Sequence, residues 1–276
     1  MIQNANNTIT IDQNQYASEI GTIHIEASRK SDTDSPLNQQ ETNKLKSVAG
    51  QLNWLATQTR PDLSYSALEL NMSKKHPKID NLVNANKAIR QAKNNNSQVH
   101  FPNLGDCREW KLKVFCDASW GNLPDGASST QGHVIFLTGK DGNSCPIAWT
   151  SNKVKRKVSS SLAAETLSLH DSLDEAIYLN SLICETCFDN KYLTTNIPIV
   201  AHTDNRSLHE NLHSTKQVHE KRLRVNIAEI RRLLAEKEVK TVVWIQGSNQ
   251  IADILTKRGA NPCVILEIFK KAHIDV

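Results

Sequence analysis

The sequence has no uninterrupted apolar stretch approaching the roughly 18 residues of a membrane-spanning helix, so no such span is expected. It also lacks the basic start and apolar run of a secretory leader. The N-terminus, MIQNANNTIT, is polar and uncharged. Six cysteines scattered over 276 residues make no disulfide framework. Reduced thiols are therefore expected, in a chain that is intracellular (cytoplasmic or nuclear) and not secreted. Aromatic residues are scarce at 5%, so a core must rest on Leu, Ile, Val and Ala. An excess of one charge is missing too: 33 Lys+Arg stand against 29 Asp+Glu, and a net +4 does not by itself argue for a nucleic-acid partner. What is present, 38% apolar and 22% charged residues, suits a globular chain.

The first 43 residues are polar. Ile9, Ile11, Tyr16 and Ile20 suit a strand or a single helical turn, and 27–43 reads as a loop. Helical spacing follows in Leu45, Val48, Leu52 and Leu55, then after Pro61 in Leu63, Ala67, Leu68 and Leu70, and again over 79–94. After Pro102 the pattern changes. Strands are expected at 111–119, 132–138 and 145–150, joined as hairpins. A long helix over 160–187, a strand over 197–203, helices over 206–212 and 216–237, a strand over 239–245 and a last helix over 249–257 complete the order β-β-β-α-β-α-α-β-α. Hairpins followed by α/β crossovers predict an α/β fold with a mixed five-stranded sheet, preceded by a small helical segment. Trp149 and Trp244, on strands, are read as core, and His209, His213 and His219 as surface. Cys184 and Cys187 have no second pair nearby, so zinc is not expected.

Four acidic residues occupy unusual places on this map. Asp117 lies within a strand, Glu165 follows Ala163 and Ala164 near the start of the long helix, Asp204 ends a strand, and Asp253 lies among Ile251, Ala252, Ile254 and Leu255. A carboxylate among apolar neighbours is costly unless it is paired or bound to a cation. Hard oxygen ligands suit Mg²⁺ or Mn²⁺, and two such ions can support a phosphodiester displacement. Singly, each residue has a structural reading: Asp204 as a helix cap, Asp253 as a first-turn acid, Glu165 as a helix-surface residue.

The motifs resemble the ribonuclease H domain of copia-type retrotransposon Pol polyproteins. The resemblance runs over about 110–260. It rests on Asp117-Ala118-Ser119-Trp120, the serine run from Ser159 leading to Glu165, Asp204-Asn205, the strand from Gly132 to Leu137, the strand from Ile147 to Ser151, and Ala252 to Lys257. Upstream, Gly50 to Leu55 and Thr59 to Leu63 resemble the segment linking reverse transcriptase to ribonuclease H, and the polymerase's Tyr-x-Asp-Asp signature is absent. The resemblance implies a ribonuclease H-like fold and a C-terminal piece of a Pol protein. It divides into 1–105 (reverse-transcriptase remnant), 106–262 (nuclease) and 263–276 (tail helix).

It implies a two-metal endonuclease that cuts the RNA strand of RNA·DNA hybrids. Asp117, Glu165 and Asp204 are the main ligands of Mg²⁺ or Mn²⁺, and Asp253 is a more mobile fourth. The expected partners are the hybrid and the polymerase part of the same Pol protein, with no small-molecule cofactor. Ser119 and Asn205 beside the ligands, Lys155 and Arg156 in a basic run (Lys153, Lys155, Arg156, Lys157) before the long helix, and Arg222 and Arg224 in a second basic cluster (Lys216, Lys221, Arg222, Arg224, Arg231, Arg232) are the candidate nucleic-acid contacts. One departure stands out: where cellular relatives carry Gly-His before the last acid, this chain has Gly247-Ser248. The alternative is an inactive remnant that only binds nucleic acid.

Overall fold

The computed structural model describes residues 1–3, 8–187, 197–215, 218 and 220–274, and Lys216 and His219 lie outside them. The first part comprises β1 (Ile2–Gln3), β2 (Ile9–Asp12), α1 (Asn14–Glu19), α2 (Ala27–Lys30), α3 (Gln39–Gln58), α4 (Ser64–Met72), α5 (Ile79–Asn94) and β3 (Gln98–Phe101). A capping box opens α3: the Asn38 side chain accepts from the Glu41 N–H, and the Glu41 carboxylate accepts from the Asn38 N–H, both at 2.9 Å. The face formed by Leu45, Val48, Leu52 and Leu55 packs with Leu82, Ala85 and Ile89 of α5. The turn after α3 is fixed by a buried ion pair. Arg60 grips both carboxylate oxygens of Asp62 at 2.8 Å and donates to the Ala92 carbonyl at 2.7 Å.

Two features of this part depart from expectation. Residues 27–30 form a short helix within the predicted loop. β3 pairs antiparallel with β2 across most of the segment, Ile11 opposite Val99, to make a three-stranded sheet β1-β2-β3. A four-residue strand whose partner is this far away in sequence leaves little local signal.

The second part comprises β4 (Lys111–Ser119), β5 (Thr130–Thr138), β6 (Ser144–Lys153), α6 (Ser161–Cys187), β7 (Ile199–Thr203), α7 (Arg206–His213), α8 (Arg224–Ala235), β8 (Thr241–Trp244) and α9 (Cys263–Lys271). Its sheet has the order β6-β5-β4-β7-β8. β4 runs antiparallel to β5 and parallel to β7, and β8 runs parallel to β7. This is the mixed five-stranded sheet expected from the sequence. Alternation along β4 sends Leu112, Val114 and Cys116 to one face, where Leu169 and Leu173 of α6 and Ile227 and Ile230 of α8 cover them. Phe115 faces the other way, with Val134 and Phe136 of β5, and packs against Ile254, Leu255 and the α9 residues Ile265 and Phe269. Both faces of the central strands are therefore dry.

Two helices differ from the sequence reading. Of the helix expected over 216–237, the described residues form a 3₁₀ turn at Lys221–Leu223 and then α8. The helix expected over 249–257 is instead two 3₁₀ turns, Gly247–Asn249 and Ile251–Leu255. Side chains from other elements hold the end of this stretch: Ser151 donates to the Leu255 carbonyl at 2.6 Å, and Asn122 to that of Thr256 at 2.9 Å.

Candidate metal centre

Three of the four predicted acids meet. Asp117 from β4, Asp204 just past β7 and Asp253 from the second 3₁₀ turn each present an oxygen within 4.8 Å of the other two. Strand alternation places Asp117 on the Phe115 side, toward 251–256. The Thr256 hydroxyl donates to Asp117 Oδ2, and Gln250 donates to the Cys116 carbonyl at 2.9 Å. Asp204 does not cap α7. That task falls to Asn205, whose side chain accepts from the Leu208 N–H at 2.9 Å.

Glu165 stands beside this trio, outside its 4.8 Å circle. It comes from α6, which packs on the Cys116 side of the sheet. It is 6% exposed, its carboxylate accepts the Ala118 N–H, and its Oε2 has no hydrogen-bond partner among the described residues. An orphaned carboxylate oxygen at that depth is a costly arrangement that a cation would relieve.

The electrostatics agree. Burial, opposed by Lys257 and Thr256, pushes the Asp117 carboxyl up to about 6. Burial, then Asp117 and Asp204, holds the Glu165 carboxyl well above the ordinary range. Burial also raises Asp204. One cation of the chain's own is in place: Lys257 Nζ lies 2.6 Å from Asp253 and 3.6 Å from Asp117. Burial lowers the proton affinity of this lysine, but Asp117 and Asp253 more than compensate. An all-oxygen donor set, carboxyls raised by mutual proximity and burial, and a lysine drawn among them fit a hard divalent cation.

Several residues that build the site carried no chemical label in the sequence. Gly132 sits opposite Asp117 in the β4–β5 register, and a Cβ there would lie 2.6 Å from Leu255 Cβ. Glycine inside a strand signals such a close approach, so this position was detectable. Asn122 accepts from Thr130 N–H and Oγ1 at 3.1 and 3.0 Å, and donates to Thr256 and to the Tyr65 hydroxyl of α4 at 2.9 and 3.3 Å. Arg258 adds a second link to α4, donating to Glu69 at 2.8 Å. The helical segment thus braces the stretch that carries Asp253 and Lys257.

The predicted nucleic-acid contacts fall in different settings. Ser119 is half-buried at the end of β4, and Lys155, Arg156, Arg222 and Arg224 are exposed. Arg156 donates to the Asn226 side chain at 2.6 Å, and Arg224 to the Val218 carbonyl at 2.9 Å. Arg232 is taken up by Glu229, Glu236 and Glu238. Trp149 is half-buried, but Trp244 is 41% exposed, contrary to the core assignment. β8 is an edge strand of the sheet, which the strand pattern alone does not reveal.

No protein-family model matches the chain. It is similar to a transposon Ty5-1 protein of Saccharomyces cerevisiae, 32% identical over 124 residues, covering 45% of this chain and 38% of that protein. It is also similar to the retrovirus-related Pol polyproteins from transposons RE1 and RE2 of Arabidopsis thaliana. These are 28% and 29% identical over 145 residues, covering 52% of this chain and 9% of each polyprotein. The chain thus spans well under half the length of these relatives. Among solved structures, LC11-RNase H1 in complex with an RNA/DNA hybrid overlaps 53% of this chain and 94% of that one, at TM-score 0.38 and 18% identity. The PFV RNase H domain overlaps 60% of this chain and 95% of that one, at TM-score 0.34 and 13% identity. By its sequence matches, this chain is similar to part of the retrotransposon Pol polyproteins.

Proposed function

We propose that the chain is a metal-dependent ribonuclease H that hydrolyses the RNA strand of RNA·DNA hybrids within a retrotransposon reverse-transcription machinery. The observation that carries this reading is the meeting of Asp117, Asp204 and Asp253 from three separate elements, with the unpartnered oxygen of Glu165 buried beside them. On this reading 106–262 is the nuclease and 263–276 its tail. Residues 1–105 are the connection to a polymerase, which is the expected protein partner.

Asp117, Asp204, Asp253 and Glu165 would hold Mg²⁺ or Mn²⁺. A pair of such ions would supply the charge that acidifies an attacking water and stabilises the 3′ leaving oxygen, and the products would be a 5′-phosphate and a 3′-hydroxyl. The rest is done by the chain. Thr256 and Gln250 hold β4 and the Asp253 turn together, so that Asp117 and Asp253 face one another. Lys257 offsets the negative charge of the cluster and must yield part of its hold on Asp253 when a cation enters. Ser119, two residues beyond Asp117 at the end of β4, would meet a 2′-hydroxyl of the RNA strand. Asn205 has its side-chain oxygen committed to the α7 cap, which leaves only its amide N–H groups for substrate.

The test is incubation of the purified full chain with a labelled RNA·DNA hybrid and Mg²⁺ or Mn²⁺, beside Asp117→Asn. Cutting of the RNA strand that needs the metal and disappears in the variant is the expected result. A folded protein that binds the hybrid without cutting it, under either metal, would replace the nuclease with the inactive-remnant reading.

A further inference from the structure

Three tryptophans are exposed: Trp54 (52%), Trp120 (53%) and Trp244 (41%). Exposure of a single apolar side chain needs no explanation by itself. Trp120 and Trp244 differ from Trp54 in where they are anchored. The Trp244 indole N–H donates, at 3.0 Å, to the main-chain carbonyl of Asp204, one of the clustered acids. The Trp120 indole N–H donates, at 3.1 Å, to the carbonyl of Val158, between the basic run and the helix that carries Glu165. Trp120 itself closely follows Asp117 along the chain.

Indole has one donor and no acceptor. Both rings have committed that donor to the main chain. What they still offer is an apolar, polarisable ring surface, held in place. Such a surface cannot read a base edge by hydrogen bonding. It can pack against the face of a base or the apolar side of a sugar. Just before Val158 in the chain come the exposed Lys155, Arg156 and Lys157; Arg156 donates to the neutral side chain of Asn226, which does not cancel its charge. Cationic side chains for phosphates next to a fixed aromatic face for bases or sugars match the two chemistries of a nucleic-acid strand. A purely apolar protein surface would bring no anion to these cations.

We propose that Trp120 and Trp244 are nucleic-acid contact residues, two aromatic platforms at the rim of the carboxylate cluster that pack against the bases or sugars of the bound hybrid. The identity of the ligand rests on the nuclease reading above, while the contact itself is independent of catalysis.

The test is binding of a labelled RNA·DNA hybrid to the full chain in EDTA, across a series of KCl concentrations. Trp120→Ala, Trp244→Ala, their Phe counterparts and Trp54→Ala are compared, each first checked for an unchanged melting profile. Each alanine variant at 120 and 244 is expected to bind about 5- to 150-fold more weakly, the range of a lost aromatic–base stack. The slope of log K against log salt stays at the wild-type value, because no phosphate contact is lost. Lys155→Ala, by contrast, makes the slope shallower by about 0.7–0.9. Phe restores most of the loss, and Trp54→Ala binds as the wild type does. Alanine variants at 120 and 244 that bind like Trp54→Ala overturn the inference, as does a wild type that does not bind the hybrid. Metal-dependent cutting by the wild type is scored separately. Cutting without tryptophan dependence refutes the platforms and keeps the nuclease. Tryptophan-dependent binding without cutting does the reverse.

Discussion

Replacing Asp117 by Asn should make the metal-free protein more stable at neutral pH, although it removes a central acid of the proposed site. Burial raises this carboxyl from 3.8 to about 6. The folded state therefore holds the Asp117 proton more tightly than the unfolded chain does. Below about pH 4 the group is protonated in both states and contributes no penalty. As pH rises through 6 the folded protein must surrender the proton into a dry, negatively charged site, and stability falls. At about 1.4 kcal/mol per pH unit between the two values, the ionised carboxylate costs about 3 kcal/mol above pH 7. Asparagine has no such slope, and the Thr256 hydroxyl can still donate to its amide oxygen. The stability of the variant relative to the wild type should thus grow by about 3 kcal/mol between about pH 4 and 7.5. In a chain of this size each kcal/mol moves the melting temperature by roughly 2–4 °C. Urea or thermal unfolding in EDTA over that pH range measures it. Saturating Mg²⁺ should narrow the gap by stabilising only the wild type, by about 2.7 kcal/mol at a hundred times Kd. A difference that stays flat with pH, or that turns in favour of the wild type as pH rises, refutes the reasoning.

Three further outcomes follow from the same geometry. Lys257→Met removes the resident cation. A unit charge at 4 Å is worth about 4 kcal/mol at an effective dielectric of 20, and the 42% exposure of this lysine cuts that to about 1–2 kcal/mol. Calorimetric titration should therefore show Mn²⁺ binding tightened by roughly 5- to 30-fold. Gly132→Ala drives a Cβ against Leu255 and Thr256, and overpacking of this kind costs about 1–3 kcal/mol. It should lower the urea midpoint and weaken Mn²⁺ binding together, and an unchanged midpoint would show that the close approach is not tight. Arg60→Met leaves Asp62 buried without its guanidinium, and equilibrium unfolding should show a loss of about 3–5 kcal/mol.

Much of this architecture is written in short-range pattern. Alternation of Leu112, Val114 and Cys116 with Phe115 defines β4 and puts Asp117 on a buried face, and both capping positions that flank α3 and α7 are ordinary Asn signals. Position relative to a strand end made Asp204 visible, and order with element type made the set of acids recognisable. What escaped is non-local. Ile251, Ala252, Ile254 and Leu255 have helix-like spacing, yet the segment is 3₁₀, and its last carbonyls are bonded by Ser151 and Asn122 from distant elements. Trp244 lies on a strand as expected, but nothing local says that the strand is at the edge of the sheet. The separation of Glu165 from the other three acids depends on which face of the sheet α6 covers, and that is a property of the whole fold.

Asn122 has a consequence of a different kind. Through one side chain it joins α4, at the Tyr65 hydroxyl, to the Thr256 carbonyl, whose own hydroxyl holds Asp117. Any partner that grips α4 and any cation that enters the carboxylate cluster therefore act on one connected set of bonds. Thermodynamic linkage then makes the coupling reciprocal: the factor by which a partner on α4 changes the affinity for the cation is the factor by which the cation changes the affinity for that partner. A chain cut near residue 105 would keep all four acids and lose that conversation between its two halves.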